Sequence, residues 1–282
     1  MDDRPIGVFD SGFGGLTVAR ALIDLAPRED LVYLGDTGRY PYGPRPQAEV
    51  ATYARQIARL LVDDHDVKVL VVACNTAAAA ALALLHLELD VPVVGVIEPG
   101  LRAAVRVTRN RRVGVIGTVG TIGSGAYQQA ARAQRAAVDL HCAACPGFVE
   151  FVERGETASE QVHILAERLL APLRAAGVDT LLLGCTHYPF LARTIADVMG
   201  RGVVLVSSAE ETAFEVRALL ARTGLGAGRA GEPVHRFLSS GNPGIFAELG
   251  RRLLGPELDR VEEVAWDARP LRARRRDDRV WA

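Results

Sequence analysis

The 282-residue chain is 49% hydrophobic and 24% charged, with a formal net charge of −1. At about 100–200 residues per domain the length suggests two domains; the composition excludes disorder and collagen-like structure and offers nucleic acid no global basic field. Lys68 is the only lysine among 33 basic residues and stands in Asp66-Val67-Lys68-Val69, which nearly closes two classes: pyridoxal-phosphate enzymes with their Schiff-base lysine, and Gly-Lys-Ser/Thr phosphate loops.

Short β-branched runs alternate with longer Ala/Leu/Arg runs along the chain. Residues 6–9 read as a strand, followed by a Gly-rich turn and a helix over 16–25. A strand over 31–34 and an amphipathic helix over 49–63 follow. The uncharged stretch 69–87 approaches the length of a membrane span. Its β-branched start, polar Asn75-Thr76 and alanine run fit a buried strand over 69–73 and a helix over 77–87 better. Lys68 reads as an exposed residue leading into that strand. A strand over 91–96 ends the first series. Near-continuous apolar strands in a βαβα rhythm predict a parallel sheet covered on both faces.

The pattern then restarts. Ile6-Gly7-Val8-Phe9 matches Val113-Gly114-Val115-Ile116, and both lead into Gly-rich polar turns. The strand before Cys74-Asn75-Thr76 matches 180–184 before Cys185-Thr186-His187. From 6 to 113 the offset is 107 residues, and from 74 to 185 it is 111. Near-constant offsets of that size point to a duplicated α/β unit rather than a solenoid. The expected fold class is therefore α/β: two similar parallel-sheet domains related by pseudo-two-fold symmetry, with an active site in the cleft between them. The expected division is 1–97 plus 207–282 for the first domain and 98–206 for the second. The second closes with a strand over 203–206. The tail is expected to add helices, such as 209–222 and 243–254, back onto the first domain. Its basic run 272–279 reads as a solvated end.

Ligands of open α/β sheets sit beyond the carboxyl ends of the strands. Cys74 and Cys185 both fall there, each before a helical run whose N-terminus can lower a thiol pKa and bind a carboxylate. Ser11, Asn75, Thr76, Thr118, Thr121 and Thr186 would add side-chain donors. A lone buried cysteine is ordinarily a small hydrophobe, but two at equivalent ends of a duplicated unit favour a shared task. One thiol on each face of a small molecule is what stereoinversion needs. His187 suits acid–base or orienting work beside Cys185. Asp10 occupies the corresponding strand end in the first unit, against a plain turn or N-cap role. Tyr42-Gly43 lies in the turn-rich Tyr40-Pro41-Tyr42-Gly43-Pro44. Cys142-Ala143-Ala144-Cys145 has no second C-x-x-C and no histidine pair to complete a zinc site. The glycine turns lack strict G-x-G-x-x-G spacing. No cationic leader precedes an apolar core at the N-terminus, so a cytoplasmic location with free thiols is the expectation.

Asp10-Ser11-Gly12-x-Gly14-Gly15, Pro41-Tyr42-Gly43, Cys74-Asn75-Thr76, Cys145-Pro146-x-Phe148-Val149 and Gly184-Cys185-Thr186-His187-Tyr188-Pro189 resemble the cofactor-independent glutamate racemases, whose superfamily includes the aspartate racemases. The resemblance runs from about residue 6 to 191. It implies that Cys74 and Cys185 are the acid–base pair, with Cys74 the base toward D-glutamate and Cys185 toward L-glutamate. It implies that Asp10 and His187 assist them and that Glu153 is an accessory acid. It also implies substrate contacts at Asp10-Ser11, Tyr42-Gly43, Asn75-Thr76 and Thr186-His187. Glutamate is the implied substrate, with neither cofactor nor metal, and supply of D-glutamate for peptidoglycan is the implied role. Neither a membrane nor a nucleic-acid partner is expected, and a homodimer stays open. Aspartate racemisation is the alternative within the class; a non-catalytic protein binding a small anion is the alternative outside it. Gly147 departs from the family, which often carries a larger apolar residue there.

Overall fold

The computed structural model describes residues 1–266; the basic run 272–279 lies outside them. In chain order the elements are β1 (Ile6–Asp10), α1 (Leu16–Leu25), β2 (Leu31–Gly35), α2 (Gln47–Arg59), β3 (Val69–Val72), α3 (Asn75–Glu88), β4 (Val93–Gly95) and α4 (Ile97–Val107). Then follow β5 (Arg112–Gly117), α5 (Val119–Gly123), α6 (Ala126–Ala133), β6 (Asp139–Ala144), α7 (Phe148–Glu153), α8 (Glu160–Ala175), β7 (Thr180–Gly184), α9 (Ala192–Met199) and β8 (Val204–Ser207). The last are α10 (Ala209–Thr223), β9 (His235–Ser239), α11 (Pro243–Leu254) and β10 (Val261–Glu263). A π-helical turn, Leu60–Asp64, prolongs α2, so the helix expected over 49–63 changes its winding in its last turn.

The strands form two parallel sheets, as expected. One runs β10-β9-β2-β1-β3-β4 and the other β6-β5-β7-β8. The order β2-β1-β3-β4 therefore recurs as β6-β5-β7-β8. The register recurs too: Ile6 pairs with Leu31 and Val69, and its counterpart Val113 pairs with Leu140 and Thr180. Buried, mostly apolar β1, β2, β3 and β7 explain this order, because a strand apolar on both sides must be covered on both faces. Helix α4 packs on β7 and β8, and α10 packs on α1 and α4, so the apolar core continues from the first sheet toward the second.

Three features differ from the sequence reading. The tail contributes two strands as well as helices, since β9 and β10 extend the first sheet from β2. The sequence Asp139–Ala144 forms edge strand β6, which is only half-buried and carries no apolar run to announce it. Lys68 is buried, not exposed. Its Nζ meets Glu29 Oε2 at 2.5 Å and donates to the Asp2 carbonyl at 2.6 Å. Glu29 also accepts from the Ala227 amide at 2.8 Å. An ammonium leaves water only when paired and hydrogen-bonded, and here segments far away in sequence supply the partners.

Candidate active site

Both cysteines open on one cleft. Its wall includes Ser11, Tyr42, Gly43, Asn75, Thr76, Thr118, Thr186 and His187, together with both thiols. Asp10, Thr121 and Glu153 stand one layer behind that wall. Asp10 is fully buried: its carboxylate accepts from the Gly12 amide at 3.1 Å and from Thr186 Oγ1 at 3.4 Å. It thus ties the end of β1 to the turn after β7. Thr121 is buried and closes a hydroxyl triangle with Thr76 at 3.1 Å and Thr118 at 3.0 Å. Thr76 and Thr118 meet at 2.9 Å, across the two sheets.

Cys74 follows β3 and caps α3, whose Ala77 amide points at Sγ from 3.5 Å; Sγ donates to Ser11 Oγ at 3.6 Å. The expected lowering of this thiol by the helix N-terminus does not occur. Burial, together with the Asp10 charge, pushes it up to about 12 against the Ala77 and Ser11 bonds. Low dielectric penalises a thiolate more than one amide at sulfur distance favours it. Cys185 follows β7, but Pro189 turns the chain into a 3₁₀ turn, Tyr188–Leu191, before α9 begins. Its Sγ faces His187 Nδ1 at 4.0 Å, and His187 Nε2 lies 3.6 Å from Glu153 Oε1. Burial pulls the imidazole down, but Cys185, Glu153 and Asp10 outweigh it and hold it up at about 10. Gly14 must be glycine for this packing: a Cβ there would sit 2.3 Å from Thr186 Oγ1 and 2.6 Å from His187 Nδ1.

Asn75 donates to Tyr127 at 2.9 Å, which fixes its amide and leaves a buried Oδ1 with no hydrogen-bond partner among the described residues. Several wall residues escaped the sequence reading: Tyr40, Cys145, Glu150 and Tyr188. Tyr40 lies over His187 with ring centroids 6.0 Å apart. Cys145, whose thiol burial pushes up to about 12, joins the wall through the turn after β6, while Cys142 stays on the strand. Its place beside Pro146 in the family-like stretch was the available signal. Gly147 has φ 91° at the start of α7, a conformation that favours glycine and disfavours the larger residue common in the family. Among the described residues no group of three or more His, Cys, Asp or Glu could hold a metal ion, and no helix is long and apolar enough to cross a membrane.

A family profile described as Asp/Glu/Hydantoin racemase matches residues 6–216. A curated glutamate racemase of Parafrankia sp. is 54% identical over 97% of this chain and 98% of its own length. One from Corynebacterium diphtheriae is 51% identical, covering 94% of this chain and 99% of its own. Among solved structures, glutamate racemase RacE1 of Bacillus anthracis superposes with a TM-score of 0.88 at 42% identity, covering 95% of this chain and 99% of that one. The Francisella tularensis glutamate racemase in complex with D-glutamate gives 0.88 at 33% identity, covering 95% and 100%. A Picrophilus torridus aspartate racemase, 17% identical with a TM-score of 0.54, shares the fold.

Proposed function

The chain belongs to the Asp/Glu/Hydantoin racemase family and is an isomerase, and we propose from that premise that it interconverts L- and D-glutamate with Cys74 and Cys185 as its two bases. The observation that carries this reading is the pair of thiols opening on one cleft from equivalent strand ends of two sheets that share a four-strand order. The near relatives named glutamate racemases support the substrate.

In the proposed reaction a thiolate on one face takes the Cα proton, and the opposing thiol delivers its own to the other face. Product leaves with the two sulfurs' protonation exchanged, so the reverse reaction starts from the resulting form. Cys185 would serve L-glutamate and Cys74 D-glutamate. The Cα proton is much less acidic than a thiol, whose ordinary pKa is about 8.5, so the carbanion-like state needs fixed donors around the α-carboxylate. Ser11, Thr76, Thr118 and the amides opening α3 would supply them. The buried Asn75 Oδ1 offers an acceptor to the substrate ammonium. His187, backed by Glu153, supplies counter-charge to a thiolate at Cys185. Asp10 orients Thr186 and adds negative charge near Cys74 and His187. No step calls on a cofactor. The two bases would come from units 98–206 and 1–97 plus 207–282, and the D-glutamate would feed peptidoglycan synthesis in the cytoplasm.

The test is purified protein with L-glutamate in D₂O and no added cofactor. Loss of optical activity with one solvent deuteron entering each inverted molecule supports the reading. Stoichiometric binding without exchange at Cα sinks it in favour of a binding protein. Faster turnover of aspartate than of glutamate sinks the substrate assignment.

A further inference from the structure

Directly after β2 the chain places Asp36, whose side chain is fully buried. Four side chains donate to this one carboxylate. Arg39 Nε reaches Oδ2 at 2.8 Å, and the Tyr42 hydroxyl bonds the same oxygen. Ser240 Oγ reaches Oδ1 at 2.5 Å, and Trp266 Nε1 reaches it at 2.9 Å. The first two donors are local. The other two arrive from 204 and 230 residues away, from the turn after β9 and from beyond β10. The Arg39 guanidinium is held between rings, 4.0 Å from the Trp266 centroid and 4.2 Å from that of Tyr53.

Tyr42 is the link to the cleft. It is buried and lines the wall. The next residue, Gly43, accepts from the Gly120 amide at 2.9 Å, and a Cβ on Gly43 would touch Thr118 at 3.0 Å. Gly43 thus reaches from the first sheet's loop to α5 on the second, beside the Thr76–Thr118 contact. Among the described residues, the strands that bring in Ser240 and Trp266 have no counterpart beside the second sheet.

We infer that Trp266 and Ser240 are positioning residues for the reaction: through Asp36 they fix Tyr42, and so hold Gly43 against Gly120 at the wall of the cleft. A carboxylate offers about four acceptor positions, and four side-chain donors fill them here. Removing one donor frees the carboxylate to turn, and the Tyr42 hydroxyl turns with it. The effect reaches substrate binding rather than proton transfer, because the chain of contacts runs through Gly43 to Gly120 and Thr118 and bonds neither sulfur. This inference rests on the racemase reading, so its test includes a readout that needs no turnover.

The test compares the full-length protein with Trp266→Phe, which keeps a ring over Arg39 but removes the N–H, with Ser240→Ala, and with Ser240→Thr, which keeps the hydroxyl. Losing one hydrogen bond of about 1 kcal/mol corresponds to roughly a fivefold change. Trp266→Phe and Ser240→Ala are expected to raise KM for both enantiomers about 3- to 10-fold, with kcat within about twofold. Hydrogen exchange at the Gly120 amide should quicken by a similar factor, and Ser240→Thr should restore both readouts. Unchanged KM and unchanged Gly120 exchange in both variants would overturn the inference, as would a fall in Tm and kcat at constant KM. If wild-type protein turns over no glutamate, the proposed function fails, and Gly120 exchange alone still decides this inference.

Discussion

The two sheets share a four-strand order and its register, yet the side chains at their ends differ. At the upper end, Cys74 is surrounded by a hydroxyl, a helix amide and a buried carboxylate, none of them cationic. Cys185 instead faces an imidazole held protonated by acidic neighbours. The lower ends differ as much. The residue before Val69 is Lys68, buried against Glu29; the residue before its counterpart Thr180 is Asp179, which binds a loop through its hydrogen bonds. Backbone pairing preserves geometry because each strand's hydrogen bonds fix its neighbours' register. Side chains beyond the strand ends escape that constraint, so a duplicated frame holds two thiols in equivalent places with unequal electrostatics.

The sharpest way to break the comparison is to remove each thiol in turn. If the halves act as paired bases, Cys74→Ala and Cys185→Ala each lower racemisation about 10⁴-fold, the upper range for loss of an acid–base group. Polarimetry on the two variants decides it; one variant retaining near-wild-type turnover would leave a single base. The next contrast concerns the lower ends. Lys68→Ala strands the Glu29 carboxylate in the interior and should cost about 3 kcal/mol in denaturant unfolding. Replacing both, Lys68→Met with Glu29→Leu, should recover most of that loss, since a buried pair and an apolar pair are often equivalent. A loss under about 1 kcal/mol for Lys68→Ala would show that water reaches the site.

A smaller effect separates the helpers of the two thiols. His187→Gln should lower kcat/KM about 10²-fold, whereas Ser11→Ala, which removes only a neutral hydroxyl, should cost about tenfold. Equal losses would erase the proposed asymmetry. The same variant gives a pH signature. The imidazole pKa rises from 6.5 to about 10 on folding. Its stabilisation is complete below pH 6.5 and is lost as pH climbs through about 10. The Tm advantage of wild type over His187→Gln should therefore shrink across that window.

Much of this frame was legible in the sequence because its signals are local. The mostly apolar runs at 6–9, 69–73 and 180–184 announce central strands, and Cys-Asn-Thr and Cys-Thr-His mark equivalent turns. What escaped depends on distant partners. Edge strand β6, Asp-Leu-His-Cys-Ala-Ala, has no buried residue and no β-branched run. Lys68 reads as exposed until Glu29 and Asp2 are brought to it. Nothing local marks Asp36, whose partners Ser240 and Trp266 arrive from far along the chain. The Cys74 thiol shows the same limit: the helix amide is visible in the sequence, while the burial that outweighs it is not.

The weakest contrast is that of Asp179 with Lys68, and it isolates what a charge does when it binds backbone rather than a counter-ion. Asp179 accepts from Thr108 Oγ1 at 2.6 Å, the Asn110 amide at 2.7 Å and the Arg109 amide at 2.8 Å, pinning the loop between α4 and β5. Burial pushes its carboxyl up, but these bonds outweigh it and hold it down at about 2. Asp179→Asn keeps the shape and one acceptor oxygen while removing the charge, so near the surface it should cost only about 1 kcal/mol at pH 7. Because the folded pKa lies below the ordinary 3.8, the charge stabilises fully above pH 3.8, and the benefit disappears as pH falls through about 2. Denaturant titrations at pH 7, 4 and 2.5 should show the two proteins converging at the acid end. A gap that stayed constant with pH would assign the cost to altered loop packing, and the two lower ends would then differ in shape rather than in charge.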